Sequence, residues 1–306
     1  YRKKSVSYIF DTSTLTTSVD NLTGSSGDDS FAGVNEANVA AGDTVSVADI
    51  LDGGLGNDTL TITNTQGGAI DAPVTSGIEN LILRTLDEDD TADTFSLAGL
   101  VGVTSVTIKD ATDGLTLSGL AAGATVAIQN SVADAAADDM TLSLAVATGT
   151  ADSLSVSTSG STIQQLVVDD VETVTLTNSG TTVTSIASLD TDAATTVNVD
   201  NSTASVGANS GLTVAAVGDN VTTTYVITGA GSTKFTGAMS TATTSIDGSN
   251  ATAITIDSSE RVGIGTTSPA SILHVDEGSD DDVKIIAETH AGGDSMILFS
   301  QGASGA

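Results

Sequence analysis

The fold is decided by short stretches such as Val106-Thr107-Ile108, Leu115-Thr116-Leu117 and Val126-Ala127-Ile128, in which apolar residues flank a small or polar one. The pattern returns at Leu142-Ser143-Leu144, Leu154-Ser155-Val156, Val174-Thr175-Leu176, Val197-Asn198-Val199, Leu212-Thr213-Val214 and Ile254-Thr255-Ile256. Such alternation, bounded by Gly, Asn, Asp or Ser, predicts β-strands that bury one face and expose the other. Because helical periodicity is almost missing, the chain is predicted to be all-β.

The shortage of large aromatic residues helps to choose between the possible all-β architectures. The 306 residues include no Trp, three Tyr and five Phe, whereas a β-sandwich usually places a few large aromatic side chains in its core. A parallel β-solenoid instead stacks short strands from coil to coil and buries ladders of Val, Ile and Leu. We therefore favour an elongated parallel β-solenoid-like array of short strands with a C-terminal β-rich oligomerisation segment, and the sandwich is the alternative.

Composition divides the chain into three regions. Residues 1–100 are rich in Gly and Asp, residues 101–258 form the strand-and-turn array, and residues 259–306 contain Pro269 and both His residues. The chain begins with Tyr1-Arg2-Lys3-Lys4, without an initiator Met or the apolar stretch of a signal peptide. We interpret this start as the cut or processed end of a longer polypeptide.

The charge balance bears on partners and location. With 39 Asp and Glu against 8 Lys and Arg, the formal net charge is −31, so binding to nucleic acid or to an anionic lipid surface is not expected. No run of about 18 apolar residues is present, so no membrane insertion is expected. Without Cys, neither a disulfide nor a thiolate metal site can form. A chain this acidic is most stable where salt or divalent cations screen it, which predicts an extracellular setting.

The sharpest local signal is the run Gly53-Gly54-Leu55-Gly56-Asn57-Asp58-Thr59-Leu60-Thr61. It matches the calcium-binding nonapeptide GGxGxDxUx of repeats-in-toxin proteins. Its glycines permit a tight turn and expose backbone carbonyls, the Asp supplies a hard anionic oxygen, and calcium requires six to eight such oxygens. The match predicts a calcium site that involves Gly54, Gly56, Asn57 and Asp58. The alternative is a Gly-Asp turn that only precedes a strand.

A weaker copy lies upstream at Gly24-Ser25-Ser26-Gly27-Asp28-Asp29-Ser30-Phe31. Ser25 replaces the second glycine, Asp29 takes the ligand position, and Gly27 and Asp29 are the predicted contributors to a second calcium loop. Family members that bind calcium strongly stack nonapeptides in tandem, so that neighbouring turns share each ion. Because these two copies are about 29 residues apart, we expect any site here to be isolated or incomplete.

The setting of the two loops widens the resemblance. Residues 10–258 resemble the repeat-rich region of calcium-dependent bacterial surface-layer proteins and related secreted adhesins. The likeness rests on Asp20-Asn21-Leu22-Thr23-Gly24, Gly42-Asp43-Thr44, Ile50-Leu51-Asp52-Gly53-Gly54 and Gly77-Ile78-Glu79-Asn80-Leu81. It implies a calcium-supported β-solenoid that assembles into an extracellular layer or fibre.

The C-terminal region has a different resemblance. Arg261-Val262-Gly263-Ile264-Gly265-Thr266-Thr267-Ser268-Pro269, followed by Leu273-His274-Val275, is similar to the VGIGTTSP…LHV element of bacteriophage tail fibres and tailspikes. In those proteins the element commonly precedes a chaperone domain and the fibre is a homotrimer, which implies a trimerisation segment at residues 259–306. This segment also has more apolar residues than so short a chain buries alone. The rival interpretation is a cap on its own solenoid, and His274 is predicted to be a strand or interface residue.

Several acidic residues suggest other chemistry. Residues 87–90 (Asp-Glu-Asp-Asp) are either a divalent-ion site or a solvated loop, and we favour the loop. Asp170 and Glu172 are expected to share one face of a strand, where paired carboxylates could cleave a polysaccharide. Such sites also need aromatic platforms, and no Phe, Tyr or Trp lies between Phe95 and Tyr225. We therefore predict that the protein is not an enzyme.

The function predicted from the sequence is structural. We expect a component of an extracellular fibre or virion appendage that assembles as a homotrimer with calcium as its cofactor. The alternative is a bacterial surface-layer protein or a secreted calcium-dependent adhesin at the cell surface. The expected partners are further copies of the chain, other virion or surface-layer proteins, and a receptor on the host surface.

Overall fold

The structure is a computed structural model, and it describes residues 12–36, 42–87, 91–135, 138–146, 149–178, 183–191, 193–201, 211–217, 224–228, 232–235, 243–246, 254–257, 262–264, 268 and 270–275. The strands β1 to β25 are, in chain order, Thr12–Thr14, Asn21–Thr23, Ser30–Asn35, Ile50–Asp52, Thr59–Asn64, Val74–Ser76, Asn80–Thr85, Asp93–Ser96, Ser105–Lys109, Leu115–Leu120, Thr125–Gln129, Val132–Ala133, Asp139–Leu144, Ser153–Ser159, Thr162–Asp169, Thr173–Asn178, Thr184–Asp190, Thr196–Asp200, Gly211–Val217, Thr224–Thr228, Ser232–Phe235, Thr243–Ile246, Ile254–Asp257, Val262–Ile264 and Leu273–Val275. One turn of 3-10 helix, Leu97–Gly99, follows β8. No helix in these ranges is long and apolar enough to cross a membrane.

From β1 to β21 the chain alternates between two sides of a parallel β-solenoid. The front sheet has ten strands in the order β1-β3-β5-β7-β9-β11-β14-β16-β18-β20. On the other side lie a small back sheet, β2-β4-β6, and a large back sheet that runs from β8 through β10, β13, β15, β17 and β19 to β21. The all-β solenoid prediction is confirmed. The front sheet continues across residue 100, because Asn80 of β7 is in register with Ser105 of β9.

The core is a set of aliphatic columns that run through the coils. All nine alternating stretches quoted above lie within strands, and in β9 Val106 and Ile108 are buried while Thr107 is only partly covered. One column of the front sheet consists of side chains that are at most 1% exposed: Phe31, Leu60, Leu81, Val106, Val126, Val156, Leu176 and Val199. Each fully buried Val or Leu contributes about 1.5–3 kcal/mol, so these repeated contacts stabilise the stack.

Polar side chains join neighbouring coils at the corners. Asn35 at the end of β3 donates its Nδ2 to Oδ1 of Asn64 at the end of β5, at 3.1 Å, and Asn178 donates to Asn201 in the same way at 3.1 Å. These side chains are buried, where an amide without a partner would be costly. The amide ladders therefore help to fix the register of successive coils.

The acidic residues near 170 lie in a turn. Asp169 ends β15, Asp170 adopts a left-handed φ of 57°, and Glu172 precedes β16. The prediction that Asp170 and Glu172 share a strand face is therefore wrong, because the chain reverses from the large back sheet to the front sheet between them. Glu172 instead accepts the backbone N–H of Asp152 on the preceding coil with its Oε2 at 2.9 Å.

The strands β22 to β25 form a separate sheet with a different topology. β23 pairs antiparallel with both β22 and β24, whereas β24 and β25 are parallel. This sheet begins at Thr243, ahead of the predicted boundary at residue 259. His274 lies in β25 as predicted and accepts the N–H of Ala270 with its Nδ1 at 3.2 Å. The apolar residues predicted to form an interface after residue 275, and His290, lie outside the described residues.

Candidate metal site

The two Gly-Asp loops lie on neighbouring coils. Residues 24–29 connect β2 to β3 and residues 53–58 connect β4 to β5, and both strand pairs are in register. The loops are therefore equal in length and stack on each other, with Gly77 and Glu79 of the next coil following. Of the expectation that any site would be isolated or incomplete, the first part is wrong, because a separation of 29 residues is one full coil at this point of the solenoid. The second part stays a prediction.

A column of acidic side chains connects these coils. The N–H of Asp29 donates to Oδ1 of Asp58 at 2.6 Å, and the N–H of Asp58 donates to Oε2 of Glu79 at 2.9 Å. Beside this column, the N–H of Asn57 donates to Oδ1 of Asp28 at 2.9 Å. In each case an acidic side chain and a backbone amide of adjacent coils are paired. Charge-assisted bonds of this kind are stronger than neutral ones.

Two carboxylate oxygens in the column have no hydrogen-bond partner. Asp29 is 3% exposed and Asp58 is fully buried, and Oδ1 of Asp29 and Oδ2 of Asp58 accept no hydrogen bond in the described part of the chain. Burial raises the pKa of Asp58 above its ordinary value, and the nearby charges of Asp29, Glu79 and Asp28 raise it further, although the bond from the Asp29 N–H opposes this shift. A cation would compensate for both the buried charge and the unpaired oxygens.

The glycines allow the loops to approach closely. A Cβ placed on Gly53 would lie 1.9 Å from the carbonyl oxygen of Gly77, and Gly54 has a φ of +90° that disfavours a side chain. A Cβ on Gly56 would lie 2.5 Å from the carbonyl oxygen of Gly27. The predicted residues Gly27, Gly54 and Gly56 are thus at the contact between the loops. The glycines beside the acidic column are Gly24 and Gly53, because a Cβ placed on them would lie 2.6 Å from Oδ2 of Asp29 and 2.5 Å from Oδ2 of Asp58.

Asn57 lies on the solvent side of its loop. Its side chain is exposed and its Oδ1 accepts a hydrogen bond from Nδ2 of Asn80 on the next coil at 3.0 Å. The sequence predictions did not include Ser25, which donates its N–H and hydroxyl to Oδ2 of Asp29 at 2.6 and 3.0 Å, nor Glu79. A search for polar residues that recur 29 positions apart would have predicted the stacking. Asp20 and Asp49 are another such pair, in which the N–H of Asp20 donates to Oδ1 of Asp49 at 2.9 Å.

The residues fit a hard cation. Calcium binds oxygen ligands, including carboxylates and backbone carbonyls, and these are the groups that the loops bring together. Asp29 and Asp58 would supply the charged ligands, and the glycine-rich backbone the neutral ones. No group of three or more His, Asp or Glu side chains that could hold a metal is found among the described residues, so carbonyls would be essential. A groove lined by Asp28, Asn57 and Thr59 borders the column on its solvent side.

No protein-family model matches this chain, and no curated protein or solved structure matches it either.

Proposed function

We propose that this chain is a structural protein of an extracellular fibre or virion appendage, in which calcium joins neighbouring coils at Asp29 and Asp58. The observation that carries the proposal is the pair of buried, unpartnered carboxylate oxygens on stacked loops. A site with few charged ligands binds calcium weakly, as extracellular modules do at millimolar calcium.

The dimensions of the solenoid support a structural role. At a strand spacing of about 4.8 Å, a ten-stranded ladder extends roughly 43 Å. The outward positions of the front sheet are mostly Ser and Thr, for example the registered residues Thr125, Ser155 and Thr175. Such a surface consists of small polar side chains. The net charge of −31 makes separate solenoids repel each other unless cations screen the charge. Association between copies of the chain would then depend on the ends of the solenoid and on the C-terminal segment.

A homotrimer is the assembly that we propose for the appendage. It rests on the VGIGTTSP…LHV likeness at residues 261–275 and on the apolar composition of residues 259–306. The proposed partners are copies of the chain, other virion proteins and a host-surface receptor. We propose no catalytic role for the protein.

The second candidate is a bacterial surface-layer protein or calcium-dependent adhesin. The stacked Gly-Asp loops favour it, because they lie in the part of the chain that resembles those proteins. Electron microscopy of the purified protein in millimolar calcium chloride separates the two. Three-fold particles or fibres support the appendage, a planar or helical lattice supports the surface layer, and isolated monomers at all concentrations would overturn both.

A further inference from the structure

The outer face of the small back sheet carries an apolar patch. Its side chains are each between 50% and 68% exposed. In β4 and β6 the next residues along the strand, Leu51 and Thr75, are buried, so the alternation of a strand directs Ile50 and Val74 away from the core. This back-sheet patch consists of Val19, Val47, Ile50, Val74 and Val101.

Backbone contacts between coils make the back-sheet patch continuous. Ile50 pairs in register with Val74 on the next coil. The N–H of Ile50 donates to the carbonyl oxygen of the residue after Val19 at 2.9 Å, and the N–H of Val101 donates to that of the residue after Val74 at 3.3 Å. Val47 lies in the turn directly before Ile50. The five side chains therefore occupy four successive coils on one side of the solenoid.

The front sheet shows that this fold does not require apolar side chains on an outer face. Five successive strands of that sheet, β9, β11, β14, β16 and β18, direct only small, polar or charged side chains outward. Thr favours strands much as Val does, so strand formation alone does not explain Val and Ile on the small back sheet. A contiguous exposed apolar surface of this kind marks an interaction site.

We propose that the back-sheet patch is a contact between copies of the chain, in which like patches face one another across the axis of the assembly. The inference rests on the homo-oligomer of the proposed function. The patch covers roughly a few hundred Å², whereas a stable complex buries about 800 Å² on each partner. An independent partner would therefore dissociate from it. Copies joined by the C-terminal segment have a high effective concentration for each other, so the patch then determines which faces of the solenoids meet.

The geometry and the charge of the patch suit a second copy of the chain. Successive coils repeat at about 4.8 Å, so in parallel copies each coil of one patch meets the same coil of the next without a shift of register. The five side chains are uncharged. Asp52, two residues after Ile50, and Asp71, three residues before Val74, border the patch. Their repulsion between copies is screened by salt, so the contact is expected to strengthen as the salt concentration rises.

Cysteine cross-linking of the full chain tests which faces meet. The chain contains no Cys, so one introduced thiol reports on one position. Val74→Cys places the thiol in the patch, and Ser155→Cys is the matched control at an exposed position of the front sheet. Each variant is treated with a short bis-maleimide in calcium chloride, and covalent dimers are measured by denaturing gel electrophoresis. We expect at least ten times more dimer for Val74→Cys, with a yield that does not fall on tenfold dilution.

Analytical ultracentrifugation of the same samples separates the possible failures. If the chain self-associates but both variants give equal amounts of covalent dimer, this inference is overturned and the proposed oligomer stands. If the chain is monomeric at every concentration, both are overturned.

A pair of charged substitutions gives a second measurement that needs no cross-linker. Ile50→Asp with Val74→Asp brings like charges together wherever two patches meet. Thr125→Asp with Ser155→Asp adds the same charge at exposed positions of the front sheet. All four positions are on the surface, so both variants are expected to fold, and circular dichroism checks this. The patch variant should dissociate at a concentration at least tenfold higher than the control. Equal dissociation of the two variants would contradict the contact.

Discussion

The N–H of Asp29 donates a hydrogen bond to Oδ1 of Asp58 at 2.6 Å, and this bond joins two coils whose corresponding residues are 29 positions apart. The second oxygen of Asp58 is buried and has no partner in the described residues. Oδ1 of Asp58 therefore takes part in the stacking of the coils, and Oδ2 of the same carboxylate is available to a cation. Coil stacking and calcium binding are expected to be coupled through this side chain.

Replacing Asp58 by Asn should remove the stabilisation that calcium provides. Asn keeps an oxygen that can accept the Asp29 N–H but removes the charge that attracts the ion. Calcium at about 100 times its Kd stabilises a folded protein by about 2.7 kcal/mol, and the variant should lose most of this increment. Urea unfolding in calcium chloride and in EGTA measures it.

The control for this substitution is Asp71→Asn, which changes the net charge equally at an exposed position. It should retain the full calcium increment. In EGTA, Asp58→Asn should be close to wild-type stability or above it, since it relieves the repulsion from Asp29 and Glu79. A calcium increment that persists in Asp58→Asn would contradict the assignment.

Gly53→Ala should destabilise the protein strongly. Its Cβ would lie 1.9 Å from the carbonyl oxygen of Gly77, so the two coils would have to separate, at a cost of more than about 3 kcal/mol. Gly123→Ala is the comparison, because Gly123 has a φ of +77° but no neighbouring atom within 4 Å of its added Cβ. Backbone strain alone should cost about 1–2 kcal/mol there. Similar costs for both variants, measured by urea unfolding, would show that close stacking is unimportant.

Without calcium, stability should fall as the pH rises from about 4 to about 8. Burial, and then the neighbouring Asp87, raise the folded-state pKa of Asp93 to about 8, well above the ordinary value of about 3.9 in an unfolded chain. The folded state therefore binds the extra proton between these values, and its stabilisation is complete below pH 4 and lost as the pH passes 8. Between pH 5 and 8 the contribution is about 4 kcal/mol at most.

The free energy of unfolding is measured in EGTA at pH 5 and at pH 8, for the wild type and for Asp93→Asn. The comparison of the two proteins separates the contribution of Asp93 from that of the other carboxylates. The free energy of unfolding of the wild type, relative to that of the Asp93→Asn variant, should fall as the pH rises to 8. A difference that does not depend on pH would mean that Asp93 has an ordinary pKa.

Removal of the C-terminal sheet should abolish self-association. Truncation after Ala242 removes β22 to β25 together, whereas a cut after Ser258 would separate β24 from its partner β23. We expect a trimeric mass for the full chain by analytical ultracentrifugation at high salt, and a monomeric mass after truncation. The same oligomeric state for both proteins would exclude the segment as the trimerisation element.

The local alternation of residues was sufficient to predict nine of the strands, but the contacts between coils were harder to foresee. Val106-Thr107-Ile108 has period-two burial whichever strand lies beside it, so the prediction needed no knowledge of the fold. The stacking of Asp29 on Asp58 depends on coil length, and the coil here is longer than two tandem nonapeptides. Asp87 is buried but was predicted to lie in a solvated loop, because nothing local distinguishes a buried carboxylate from an exposed one.

Hydrogen exchange of the full chain in calcium chloride and in EGTA tests the calcium-linked stack most directly. The amides of Ser25, Asp29, Asn57 and Asp58 are bonded to carboxylates of this stack, whereas β14, β16 and β18 lie far along the solenoid. Removal of calcium should accelerate exchange at the stacked loops at least tenfold and leave these strands nearly unchanged. Equal protection of the loops in both conditions would contradict a role for calcium in this protein.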